Sequence, residues 1–470
     1  MAISRRSILL GGAAAALAIP GAMHLSWNAK SFVQDGYSPE PPPAPPGRSN
    51  WSNWSGSQRA TPQSIAVARN ESDVVALVKN SPTPIRAVGA GHSFTGLVPS
   101  EGTILDISPM AGVIHSEQNG RRVTFGAGTH LQQAVRELEA LGMAFPNMPD
   151  IDTQTLGGMF STATHGTGLT LPAMHSRITG FSLITASGEK LEVTAQNNPD
   201  LFAAGKVSLG TLGIMTSYTI EPVEHFALRR KVWIEAVDEI LPRIMTLVQQ
   251  HRNFEMFYFP GTGRVAALTH DLHTGPVSGR PPSGDEDILA GLRSLRDKFG
   301  WSPRLRRLIA GHELPDQVLE DSSDQSWKLL STSRPTKFNE MEYHVPLANG
   351  LDALREVIAA ADQNHALFIP IEIRTIAPDD AWLSPFQGGP RMSIAMHCKV
   401  DEDFGILFDL FEPIFLAHGG RPHWGKHNSL NAAQLSQLYP RFGDFQALRR
   451  RLDPQGKFLS PHMAAMLGEA

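Results

Sequence analysis

Between residues 131 and 141 the apolar positions Leu131, Ala134, Val135, Leu138 and Leu141 recur at intervals of three and four. That is the spacing of one helix face, and Gly142 supplies a stop. Thr129, with Gln132 three places on, reads as a capping box for this helix. Asn70 or Ser72 can cap an earlier helix reaching Asn80. Short apolar runs at 84–88, 103–107, 178–186, 189–194 and 214–221 read as strands. The first run ends in the loop Gly89–Ser93, and residues 157–168 are rich in Gly, Ser and Thr. Helices mixed with strands up to residue 225 predict an α+β domain.

The texture changes from about residue 226. Helical patterns are read within 232–250, at 350–362, 404–419, 430–439 and 444–451, with Pro413 able to kink the third. Strands are expected at 338–346, 366–376 and 393–400. Residues 270–287 read as a Gly/Pro/Asp-rich loop, the stretch 270–320 matches no known pattern, and the chain closes on a Pro/Gly turn. There is no internal repeat.

The N-terminus reads as an address. Arg5 and Arg6 precede a short apolar run from Ile8 to about Ile19, followed by small residues. This fits a twin-arginine export signal over 1–22, so a periplasmic or extracytoplasmic location is expected. Its removal would take away two positive charges and leave −7 from the full chain's −5. Six prolines in residues 39–46 suggest a stiff linker over 23–50, with the folded body starting near Trp51.

Composition narrows the function classes. The chain has 470 residues, 41% hydrophobic and 19% charged, enough for a large core and two or three domains. A net charge of −5 gives no basic field, which argues against nucleic acid. The single cysteine, Cys398, rules out an internal disulfide and any cysteine-built metal centre. No apolar run is long enough to span a bilayer.

The glycine-rich loops were weighed against familiar motifs. Gly89-Ala-Gly and Gly126-Ala-Gly lack the third glycine of a dinucleotide fingerprint. Gly420 to Lys426 has the P-loop spacing, but His427 stands where Ser or Thr must bind magnesium. His423 and His427 are four apart, yet Pro422 and Gly425 break the helix a metal pair would need, so no metal is expected. Two loops, one ending in His92-Ser93 and one carrying Thr162, Thr164, His165, Gly166, Thr167 and Gly168, suggest a flavin pyrophosphate site. Tight Gly turns can offer backbone N–H groups to phosphates. Glu372 and Arg374 lie two apart in an apolar strand and so share a face. Two charges there are costly unless paired or functional. Glu340 and Glu342 share a face in the same way, and a salt bridge is their default reading. His397, on the strand near 394–400, is a cavity candidate.

Taken together, Gly89-Ala90-Gly91-His92-Ser93 and Gly157-Gly158 through Gly168 resemble the FAD-binding domain of the vanillyl-alcohol-oxidase superfamily, the PCMH-type domain. Pro370-Ile-Glu372-Ile-Arg374, Trp382-Leu-Ser-Pro, Arg421-Pro-His-Trp-Gly-Lys426 and the run from Arg449 to Leu459 are similar to the sugar-acid 1,4-lactone oxidoreductases and the alditol oxidases. The resemblance covers about 51–468. It implies an α+β architecture: a two-subdomain PCMH-type FAD-binding domain over 51–225, divided near 110, an antiparallel-sheet cap domain over 226–415, and a segment 416–470 returning to the flavin. It implies FAD, joined covalently through His92, with Arg86 and Ile214 beside Gly89, Ala90, Gly91, His92, Ser93, Gly157, Gly158, Thr162, Thr164 and the 165–168 loop in the cofactor site. Glu372 and Arg374 would hold the substrate, Lys426 would stabilise the reduced flavin, and His397 would complete the cavity. Thr164 and Ala163 would lie where oxygen approaches.

The implied reaction is oxidation of the C2 alcohol of a gulono-, galactono- or arabinono-1,4-lactone, as in D-arabinono-1,4-lactone oxidase and L-gulonolactone oxidase types. Electrons would pass to O2 or another acceptor. Two alternatives stay open: a polyol (alditol) oxidase, since the same three charged residues suit an open-chain substrate, and an exported sugar-binding protein without turnover.

Overall fold

The computed structural model describes residues 23–117 and 121–469. The expected signal, 1–22, lies outside the described residues. A three-stranded parallel sheet, ordered Ser64–Val67, Thr103–Asp106, Ile85–Val88, opens the first domain. The helix Glu71–Asn80 follows its first strand, capped by the Asn70 side chain, which accepts from Asp73 N–H. A five-stranded antiparallel sheet follows, ordered Lys190–Thr194, Ile178–Ile184, Ile214–Ile220, Val123–Gly126, Val113–Ser116. These two sheets occupy the two halves expected for the first domain, on either side of residue 110.

The helix Leu131–Ala140 forms, but Thr129 does not cap it. Thr129 Oγ1 instead donates to Gly126 O (2.6 Å) and accepts from Gly112 N–H. The carbonyls of Gln154 and Asp152 take the N–H groups of Leu131 and Gln132. The orphan donors of the first turn thus meet backbone from the cofactor loop.

The cap is an eight-stranded sheet, antiparallel throughout. Its order is Gln317–Gln325, Ala227–Ala236, Arg264–His273, Asn253–Phe259, Ile371–Ile376, Arg391–Lys399, Phe338–Pro346, Arg421–Pro422. The start of the expected 232–250 helix is therefore strand: Leu228, Arg230 and the residues after them pair on both sides, and helix begins only at Val237. The stretch read as loop carries two helices, Asp285–Phe299 and Pro303–Glu313. At Pro413 the expected helix splits into a π-turn, Leu407–Phe411, and a helix Glu412–Ala417 with proline in its first turn, where no N–H is needed. The closing Pro/Gly turn is followed by a short helix, Pro461–Met466.

The segment before Trp51 is not a free spacer. Trp27 is buried and donates its indole N–H to Arg296 O (3.0 Å). Arg296 is sandwiched between the Phe32 and Phe368 rings and pairs with Glu402. Arg48 pairs with Glu101 on the first domain. One continuous apolar core runs through both domains.

Candidate functional site

A cavity of about 1090 Å³ lies between the two domains. The first wall is the loop after strand Ile85–Val88. Gly89 is forced: a Cβ there would stand 2.2 Å from Thr155 Oγ1. Gly91 takes φ +69°, a conformation that costs glycine nothing. Among the described residues no acceptor takes the N–H groups of Ala90, Gly91, His92 or Ser93, while Phe94 N–H donates to Gly425 O (2.7 Å). Four successive free N–H groups facing a cavity make an anion cradle. Gly157, Gly158, Thr162, Thr164 and His165 line the facing wall. The residues present fit a flavin with its pyrophosphate.

His92 stacks on Trp54 with ring centroids 5.1 Å apart. Its Nε2 lies 3.0 Å from Thr153 Oγ1. Burial, then the charge of Lys426, pushes its pKa down to about 4, so the imidazole is neutral.

The cap sheet supplies the opposite wall. Glu372 and Arg374 do share a face, and their side chains form an ion pair. Glu372 Oε1 and Arg374 Nε are both buried and have no partner among the described residues. One acceptor and one donor are therefore left for a ligand. Lys426 pairs with Glu340 and sits 5.1 Å over the Phe94 ring. His397 is the cross-strand partner of Glu340. Its Nδ1 lies 2.9 Å from Pro370 O, an acceptor only, so Nδ1 carries the proton and Nε2 offers a lone pair, 3.7 Å from Glu340 Oε1. All four expected catalytic residues thus meet in one cavity with His92.

The comparisons with known proteins agree with this geometry. Residues 218–466 match the profile described as D-arabinono-1,4-lactone oxidase, and residues 62–194 match an FAD binding domain. An L-gulono-1,4-lactone dehydrogenase of Mycobacterium tuberculosis is 34% identical over 88% of this chain and 98% of its own length. The chain belongs to the D-arabinono-1,4-lactone oxidase family. Other relatives are an L-gulonolactone oxidase of Mus musculus, 27% identical over 86% of this chain and 93% of that protein. An alditol oxidase of a Streptomyces species is 28% identical over 86% and 94%. The fold matches cholesterol oxidase from B. sterolicum with TM-score 0.71 at 17% identity, covering 91% of this chain and all of that one. The protein is an FAD-dependent oxidoreductase of this lactone oxidase family.

Some expected cofactor residues of this family member serve otherwise. Arg86 is buried and gives four of its N–H donors to carbonyls of Leu97, Leu209, Gly210 and Phe458. It ties the cofactor loops together, and burial lowers its pKa to about 10. Gly166, Thr167 and Gly168 leave the cavity wall. Thr167 Oγ1 donates to Phe254 O (2.6 Å), and Gly168 N–H donates to Thr375 O (2.7 Å), so this loop seams the two domains. Ile214 is buried facing away, while its neighbours Gly213 and Met215 line the cavity.

Glu342 finds its partner off the sheet: it accepts from His165 Nε2 (3.0 Å) on the cofactor loop, and from Ser393 Oγ. Burial alone would raise its carboxyl, but the imidazole of His165 holds it well below the usual range. His165, Glu342 and His423 bring ligand atoms together, as do Glu340, Glu372 and His397. The carboxylates of both groups are each paired already: Glu342 with His165, Glu340 with Lys426 and Glu372 with Arg374.

Three charged residues of the site were missed. Glu255 lies on the strand beside Glu372, whose direct partner is Phe257. Burial first, and then the charge of Glu372, raises its carboxyl well above the ordinary value despite Arg374. Asp150 pairs with Arg334, and Thr332 Oγ1 donates to it (3.0 Å). Burial would raise the Asp150 carboxyl; the guanidinium of Arg334 holds it low. The alternation of Glu255 with Phe257 and Phe259 around buried Met256 and Tyr258 was the available signal, since it marks an acid on a covered face.

Proposed function

We propose that the protein oxidises the C2 alcohol of a sugar-acid 1,4-lactone. What supports this reading most is the ion pair Glu372–Arg374 with one unpartnered acceptor and one unpartnered donor turned to the cavity. Bound FAD supplies the two-electron acceptor for the C2 hydride. Glu372 accepts from a ring hydroxyl and Arg374 donates to the lactone oxygen, which fixes C2 in the cavity. His397 Nε2 takes the hydroxyl proton as the alcohol becomes a carbonyl. Lys426 gives the wall positive charge, which favours the negative charge that accumulates on reduction. Ala90 to Ser93 would hold the pyrophosphate, and neutral His92, its Nε2 engaged by Thr153, would be the residue joined to the flavin.

The final electron acceptor is O2 or a separate carrier, and the chain is exported by the signal read in 1–22. The alditol reading rests on the same three charged residues. The test is one purified sample. Gulono-, galactono- and arabinono-lactone are offered beside xylitol and sorbitol, with peroxide and dye reduction both followed. Turnover of a lactone supports the proposal, and turnover of polyols alone replaces it. Acid-precipitated protein should stay yellow, and the signal should direct a folded reporter out of the cytoplasm.

A further inference from the structure

The cavity is longer than a single lactone requires. Glu372 and Arg374 stand on strand Ile371–Ile376. Arg230 stands on Ala227–Ala236, three inter-strand steps away across the same sheet, and also lines the cavity. At about 4.8 Å per step that is roughly 14 Å. A six-carbon chain, with C–C bonds of about 1.5 Å, covers roughly half of it.

The far end is polar and incompletely satisfied. Arg230 and His270 are direct cross-strand partners. Arg230 Nη1 and His270 Nε2 both converge on Leu329 O, at 3.3 and 3.2 Å. Nε2 also lies 3.3 Å from Arg230 Nη1, a pure donor, so either ring nitrogen can carry the hydrogen. His270 Nδ1 is buried without a partner among the described residues. Trp327 Nε1, a pure donor, is likewise buried without an acceptor. Arg280 donates to Lys328 O and Ser331 O and has no carboxylate partner among the described residues. All four residues line the cavity.

We propose that Arg230, His270, Arg280 and Trp327 form a second subsite that takes a glycosyl unit joined to the substrate lactone. The chemistry selects a sugar. A pyranose has an apolar face for the Trp327 ring and hydroxyls that donate and accept at its rim. His270 Nδ1 can meet a hydroxyl as donor or as acceptor, whichever ring nitrogen carries the hydrogen. Trp327 Nε1 needs an acceptor and Arg280 has no carboxylate partner among the described residues, which an alkyl tail does not answer, while the charge of Arg230 is already met by Glu320 (3.1 Å). The attachment point is the end remote from C2, so the substrate class is an aldono-1,4-lactone glycosylated on its terminal hydroxyl, O6 of a hexonolactone or O5 of a pentonolactone. This inference rests on the lactone-oxidising reading.

The experiment compares the best simple 1,4-lactone with the derivative glucosylated on its terminal hydroxyl, on the holoenzyme and on Trp327→Ala and Arg280→Ala. The derivative should be preferred by about tenfold or more in kcat/KM, mainly through KM, and both variants should erase that preference. A derivative that is turned over no better than the simple lactone, or a preference that survives both variants, overturns the subsite. If no lactone is turned over at all, the functional reading falls, and the subsite is then read by binding. The derivative should perturb the flavin absorbance at about tenfold lower concentration than the simple lactone, and equal affinities overturn it.

Discussion

The carboxyl groups of Glu255 and Glu372 line one cavity on adjacent strands in different electrostatic settings. Glu372 is ion-paired with Arg374, while burial, and then the charge of Glu372, raises the Glu255 carboxyl well above its ordinary value. Two carboxylates so placed cannot both ionise at low cost.

Replacing Glu255 by Gln should therefore be tolerated. The folded pKa of Glu255 lies above its unfolded value, so its stabilising effect is complete below about pH 4.5 and is lost as pH rises through the folded pKa. The Tm of Glu255→Gln should exceed that of wild type at pH 8, and the gain should shrink toward pH 5. A lower Tm at pH 8 would show that Glu255 is ionised in the folded protein.

Arg374→Ala should retain flavin and lose about 100-fold or more in kcat/KM, because it removes a buried donor to the substrate and strands Glu372. Arg374→Lys should recover little, since a point charge cannot replace the fork. Steady-state kinetics on the best lactone check this, and near-normal turnover in both would reduce the pair to a structural bridge.

His92→Ala should leave a protein whose flavin washes out in acid, and Thr153→Val should slow attachment without abolishing it. The absorbance of the acid pellet against time after FAD is added to apoprotein reports both. Acid-stable yellow pellet from His92→Ala would move the attachment site elsewhere.

Buried neutral histidines set the acid limit. Burial pushes His423 to about 3 and His427 to about 4, and holds His344 well below its ordinary value. Their unfolded value is near 6.5. Stability is thus fully present above pH 6.5 and falls as pH drops from 6.5 toward 4, because the unfolded chain takes up protons the folded one refuses. Calorimetry of the holoenzyme should show a Tm about 5 °C or more lower at pH 5 than at pH 7.5. An unchanged Tm would mean these rings are solvated.

The parts of the site carried by local pattern were legible. Two-residue alternation placed Glu372 and Arg374 on one face, and the glycine loop announced the cradle at 90–93. What depends on pairing was not legible. Leu228 to Ala236 looks helical at its end until strands on both sides claim its backbone. The Thr129 cap fails because Gly112 and Gly126 occupy its hydroxyl. Glu255 is invisible as an acid of the site until its strand lies against the one bearing Glu372. Arg86, expected in the cofactor site, does line the cavity, but its role as a clamp is visible only when four carbonyls from distant segments surround it.

The seam at Thr167 and Gly168 has a consequence for traffic. Its hydrogen bonds join the second glycine loop to strands Asn253–Phe259 and Ile371–Ile376, the two that bear Glu255, Glu372 and Arg374. The gap between redox group and substrate clamp is therefore set by a riveted joint. A jaw that opened at each turnover would have to shear it. Substrate must instead file in through the mouth near Arg280 and Ser283, so a bulky residue placed at that gate would throttle every reaction the enzyme performs, whatever the chemistry inside.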